Sequence, residues 1–199
     1  MKKKIFIIVF LLSIFSYEDE VKAYSSDPKQ FIVEVVEEAK KILVASNSKE
    51  VREKKLSEMA LKVADIKGIG FYTLGAYRKG LSEDELKEYG VLFEKYFLKS
   101  FTSRLSDYSD PKIEVIEAEV LNPKYTIVKS VLLATDKKPE VKIDWRVYTK
   151  NPDKPLIRDL IVEGLSLART QKEEFASVIQ SNNGDVKKLF ETLKNFINK

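Results

Sequence analysis

The chain has 199 residues, 44% hydrophobic and 33% charged, with 35 Lys and Arg against 31 Asp and Glu for a net charge of +4. It contains no histidine and no cysteine, which excludes Ser-His-Asp and Cys-His catalysis, removes the commonest metal ligands and rules out a disulfide framework. The mild basic excess falls short of what a nucleic-acid-binding domain carries, although it permits weak attraction to anionic surfaces.

The N-terminus carries Lys2, Lys3 and Lys4, an apolar run from Ile5 to Leu12, and a polar stretch that closes on Val21-Lys22-Ala23. A basic start, a short apolar middle and a small residue at the end are the layout of a secretory signal peptide. The predicted cut follows Ala23; the apolar run is too short to span a bilayer comfortably, which takes about 20 residues, and an uncleaved anchor is the alternative reading. The expected organisation is a signal peptide over 1–23 and a single mature domain over 24–199, whose 31 basic and 28 acidic residues leave a net charge of +3.

Asp27-Pro28 with Gln30 reads as a helix start, and Ile32, Val35, Val36, Ala39, Ile42 and Leu43 recur behind it at helical spacing. Asn47-Ser48 separates this helix from a second, striped by Leu56, Met59, Ala60 and Val63. The Gly-punctuated stretch Asp65 to Tyr77 reads as short, tightly packed helices. Ser82 and Glu85 form a capping box ahead of a long aromatic helix with Leu86, Tyr89, Phe93, Phe97, Phe101, Leu105 and Tyr108 on one face, stopping near Ser109-Asp110-Pro111.

The period then changes. Val141, Ile143, Trp145 and Val147 alternate with Lys142, Asp144, Arg146 and Tyr148, the mark of a half-buried strand. Tyr125 to Thr135 is a second strand, and Ile113 to Leu121 and Leu156 to Glu163 are two more. The turn signals between them, Asn122-Pro123, Asp136 to Pro139 and Asn151 to Pro155, make short connections, so the strands should run antiparallel. Gly164 is expected to end the sheet. Helices follow near Arg169 to Ile179 and after Asp185, the latter carrying Val186, Leu189, Phe190, Leu193, Phe196 and Ile197 on one face. The expected fold class is α+β: a twisted antiparallel four-stranded sheet with helices before and after it, packed on one of its faces.

No motif carries enzymatic chemistry. Gly68-Ile69-Gly70 lacks the third glycine and the preceding strand of a dinucleotide fingerprint. The carboxylate pairs Glu37-Glu38, Glu83 to Glu85 and Glu173-Glu174 sit on polar helix faces or first turns, where acids are solvated or favour the helix dipole. The expectation is therefore a chain that is not an enzyme and needs neither cofactor nor metal.

Two blocks go beyond a generic α+β reading. One is Leu74-Gly75-Ala76-Tyr77-Arg78, Ser82 to Leu86 and the aromatic helix through Phe93, Phe97, Phe101 and Tyr108. The other is Ile161-Val162-Glu163-Gly164-Leu165-Ser166-Leu167 followed by Lys172 to Phe175, Gly184 and Leu193. With Asp65 ahead of them, these blocks resemble the toluene-tolerance family of ABC-transporter auxiliary proteins, the MlaC family, over roughly Phe31 to Leu193. Arg158 before Asp159 departs from the tyrosine often found there.

The resemblance implies a periplasmic phospholipid-binding protein that passes lipid between an outer-membrane lipoprotein complex and the substrate-binding ring of an inner-membrane ABC transporter, helping to maintain outer-membrane lipid asymmetry. It also implies an apolar pocket between sheet and helices, and a monomer is expected. The candidate tail lining is Leu74, Phe93, Phe97, Phe101, Val131, Leu133, Ile143, Trp145, Val147 and Val162, although such stripes are usually ordinary core. Arg78, Glu163 and Ser166 are head-group or rim candidates; Ser166 also suits a helix cap, and Glu163 a pairing with a cation such as Arg78. Lys142, Arg146 and Lys150 share the strand face opposite Trp145, a solvated face or one that docks a partner or a phosphate. Two alternatives stay open: a carrier of another hydrophobic small molecule, and an interaction protein with a fully packed core.

Overall fold

The computed structural model describes residues 23–45, 48–106, 108, 110–136 and 138–199. The expected signal segment and its Lys-rich start lie outside the described residues, as does Asn47 between the first two helices. Six helices and five strands follow in the order α1 (Pro28–Val44), α2 (Lys49–Val63), α3 (Ile66–Leu74), a 3-10 turn (Gly75–Gly80), α4 (Glu83–Leu105), β1 (Ile113–Asn122), β2 (Tyr125–Leu132), β3 (Val141–Tyr148), β4 (Leu156–Val162), β5 (Leu165–Ser166), α5 (Leu167–Ser181) and α6 (Val186–Ile197).

The helix starts follow from local chemistry. Asp27 accepts the Gln30 N–H with Pro28 in the first turn of α1, and Ser48 accepts from Val51 at the head of α2. Ser82 and Glu85 complete a reciprocal capping box on α4, which satisfies two N–H groups that would otherwise lack partners.

The sheet is antiparallel throughout, ordered β1-β2-β3-β4-β5. It has five strands rather than the expected four, because Gly164 does not end it. Glu163 and Gly164 both take positive φ, 50° and 81°, the geometry of a two-residue hairpin turn. The chain therefore doubles back, and Leu165 and Ser166 pair with Val162 and Ile161.

Two cores result. Phe31, Ile32 and Val35 of α1 and Leu56, Met59 and Val63 of α2 bury against Val128, Val147 and Ile157, one face of the sheet. Fully burying each such side chain contributes about 1.5–3 kcal/mol. The second core is helical and joins α3, α4, α5 and α6 through Leu74, Tyr89, Phe93, Phe175, Ile179 and Leu189. Helices α3 and α4 approach so closely that a Cβ on Gly70 would stand 2.8 Å from the Phe93 ring, which explains a glycine in a helix interior. The aromatic face of α4 links the two cores: Phe97 packs against the helical one and Phe101 against the sheet one, their rings stacked at 6.0 Å.

Helices do not keep to one face of the sheet as expected. While α1 and α2 cover the Val128 and Val147 face, α3 stands over the opposite one, tied to it by an Asp65–Arg158 ion pair. The gap it leaves there is the cleft described next.

Candidate functional site

A half-open cleft of about 530 Å³ lies between α3 and the sheet. One wall is Gly68, Ile69, Phe71 and Tyr72 of α3 with Arg78 of the 3-10 turn; the other is Leu121 of β1, Tyr125 of β2, Arg146 of β3, and Arg158 and Asp159 of β4, with Ala168 of α5 at one end.

The sheet wall owes its polarity to an irregularity. Between β3 and β4 the register slips, so that Arg146 opposes Asp159 while the next residue, Val147, opposes Ile157. Arg158 is the extra residue of a β-bulge, a device that re-aims side chains. Both Arg158 and Asp159 thereby reach the cleft, while Ile157 stays in the sheet core.

Arg158 is held on several sides. Its Nε donates to Asp65 Oδ2 at 2.7 Å, its Nη2 forms an ion pair with the same oxygen at 2.6 Å, and its Nη1 donates to the Tyr125 hydroxyl at 2.9 Å. Its guanidinium carbon lies 3.6 Å from the centre of the Tyr148 ring, a cation–π stack. Burial disfavours its charge, but the hydrogen bonds to Tyr125 and Asp65 outweigh that and hold its pKa above the ordinary arginine value. Asp65 in turn caps α3, accepting the Gly68 N–H at 2.9 Å. The pair pins the start of α3 to β4.

Asp159 is buried, yet satisfied. It accepts the Ser166 hydroxyl at 2.6 Å and the Ala168 N–H at 2.9 Å, and Arg146 Nη1 approaches at 3.5 Å. Arg146 is otherwise poorly matched: its Nε is buried without a hydrogen-bond partner.

Arg78 is the one residue of the expected set that lines this cleft. Ser166 caps α5, accepting the Arg169 N–H at 3.1 Å while donating to Asp159. Glu163 sits in the β4–β5 turn and accepts the Lys142 backbone N–H. Leu74 and Phe93 belong to the helical core with Phe97 packed against it, and Val147 to the sheet core with Phe101 and Trp145 packed against it. Ile143 and Val162 pair beside Trp145 on the same face. Val131 does not share that face. The register sets Ser130 against Ile143 and Val131 against Lys142, which turns Val131 to the opposite side, because alternate residues point to opposite faces. Leu133 lies past the end of β2, its N–H donated to the Lys112 carbonyl. Of the polar sheet-wall residues outside the expected set, Arg146 lies on the face read either as solvated or as docking a partner or a phosphate, and Tyr125, Arg158 and Asp159 carry no site reading.

The model of the family described as MlaC protein matches residues 32–195. A comparison with curated proteins finds no match. Among solved structures, a phospholipid-binding protein from Ralstonia solanacearum, in complex with a phospholipid, is similar with a TM-score of 0.71 at 17% identity, over 84% of this chain and 94% of that one. That likeness gives the two proteins the same α+β fold. With the family model covering most of its length, the chain belongs to the MlaC family.

Proposed function

We propose that this protein is a periplasmic phospholipid carrier, a binding protein and not an enzyme, which moves lipid between the outer and inner membranes with an ABC transporter. The observation that carries the reading is the cleft under α3, apolar on its helix wall and cationic on its sheet wall, in a fold shared with a protein solved with phospholipid bound. Support for export comes from the basic, apolar and small-residue layout of residues 1–23. The expected partners are an inner-membrane substrate-binding ring and an outer-membrane lipoprotein complex.

The physics of the cargo calls for such a carrier. Each buried methylene is worth about 0.8 kcal/mol, so a 16-carbon tail in water costs about 13 kcal/mol. A binding site of comparable apolarity removes most of that barrier. Two tails need on the order of 800–900 Å³, near the upper range of ligand pockets, so a cleft of 530 Å³ holds about one. A two-tailed cargo would need the site to widen, since Leu74, Phe93, Trp145 and Val147 of the sequence-expected lining pack in the two cores.

The test is extraction of the purified, natively exported protein followed by lipid mass spectrometry. Near-unit phospholipid occupancy is expected, and occupancy should fall severalfold in Leu121→Asp, which places a charge on the cleft wall at a residue already half exposed. A non-phospholipid ligand at full occupancy would favour a carrier of another hydrophobic molecule, and a lipid-free protein with no uptake would refute the carrier reading.

A further inference from the structure

The three arginines of the cleft are not equivalent. All three nitrogens of Arg158 are spent on Asp65 and Tyr125, and its face is spent on Tyr148. Arg146 has one ionic contact, Nη1 to Asp159 at 3.5 Å, and a buried Nε that donates to nothing. Asp159 is shared, accepting shorter bonds from the Ser166 hydroxyl and the Ala168 N–H. Arg78 lines the same cleft on an exposed turn, with no ion pair among the described residues. Lys172 adds positive charge nearby, 5.2 Å from the centre of the Tyr72 ring. Against these cations the lining offers one carboxylate, Asp159, which is already engaged. A guanidinium fork with unused donors beside apolar walls suits a ligand that joins a tetrahedral oxyanion to hydrocarbon.

We propose that Arg146 and Arg78 form the receptor for the phosphodiester of a phospholipid head group. The inference rests on the carrier reading and adds to it that the phosphate itself is gripped. Arg158 is set aside because its guanidinium is already held by the Asp65 carboxylate, the Tyr125 hydroxyl and the Tyr148 ring.

The experiment titrates the delipidated full mature chain calorimetrically with dihexanoyl phosphatidylglycerol, with dihexanoylglycerol, which has the same tails and no phosphate, and with inorganic phosphate. The phospholipid is expected to bind about tenfold or more tighter than the diacylglycerol, a preference that weakens as salt is raised. Arg78→Gln, at an exposed position where folding is not at stake, and Arg146→Gln should each cut the preference about tenfold. Arg146→Lys should recover part of it, and Lys79→Gln, outside the cleft, should leave it intact. Equal affinity for the two lipids, or an unchanged preference in both glutamine variants, would overturn the receptor while leaving the carrier reading standing. Inorganic phosphate binding as tightly as the phospholipid would overturn the lipid source of the anion. Failure to bind either lipid would overturn the carrier reading, and the receptor with it.

Discussion

Asp65 does two jobs with two oxygens, and its removal should be felt in both. Oδ1 caps α3 through the Gly68 N–H at 2.9 Å, and Oδ2 receives Arg158 Nε at 2.7 Å and Nη2 at 2.6 Å. Asp65→Ala loses the cap, about 0.5–2 kcal/mol, and the charged hydrogen bonds, about 1.5–3 kcal/mol. An exposed ion pair would add about 0–1 kcal/mol, but here the two side chains are only 19% and 28% exposed, and Tyr148 already orders the guanidinium. A total of about 3 kcal/mol is expected. For a domain of this size it should lower the melting temperature by about 6–12 °C. Asp65→Asn keeps an acceptor for the cap and should cost about half as much. Urea denaturation of Asp65→Ala, Arg158→Gln and the double variant gives the coupling directly, and a value of about 1–2 kcal/mol is expected. Additive single losses, or an Asp65→Ala cost below about 1 kcal/mol, would refute the claim that this pair pins α3 over the sheet.

Two further predictions concern stability. Gly70→Ala should destabilise by about 1–3 kcal/mol, because the added methyl meets the Phe93 ring and overpacking outweighs the gain in helix propensity; a thermal melt at or above the wild-type value would show that α4 can yield. The Ser82 N–H at 2.9 Å and the Ser82 hydroxyl at 3.0 Å bond to the Glu85 carboxylate and hold its pKa below the ordinary glutamate value. Its contribution is thus fully present above the unfolded pKa of about 4.3 and is lost as pH falls through the lower folded value. The difference in urea midpoint between wild type and Glu85→Gln should therefore shrink on moving from pH 7 to pH 3, and a constant difference would contradict the capping role.

Helix starts were legible in the sequence because caps are local: Asp27, Ser48, Ser82 and Asp185 each accept the expected backbone N–H. Strand alternation was legible for the same reason. The fifth strand was not, since Glu163-Gly164 reads as a stop unless both residues are known to take positive φ. Nor could sequence place Val131. Register decides which residues of two strands share a face, and a slip of one residue exchanges the faces. The aromatic stripe of α4 reported burial from Leu86 to Leu105 but not at Tyr108, which lies past the end of the helix and is exposed, and periodicity does not distinguish a ring that packs on Phe175 from one that packs on a ligand.

The cleft itself lies where period-2 reasoning looks least. Alternation divides a strand into an apolar and a polar side and assigns the polar side to water. Here the polar side of β3 and β4 is roofed by α3, and the roof is anchored by a residue that exists on that side only because of the bulge at Arg158. Arg146 in that setting is only 35% exposed. Its Nε is buried with nothing to bond, an arrangement costly enough that folded proteins seldom keep it without cause. A functional ligand would supply the missing acceptor. Such a ligand must bring an anion to Arg146 and apolar groups to Ile69, Phe71 and Leu121 at once, and a phospholipid meets both demands with a single molecule.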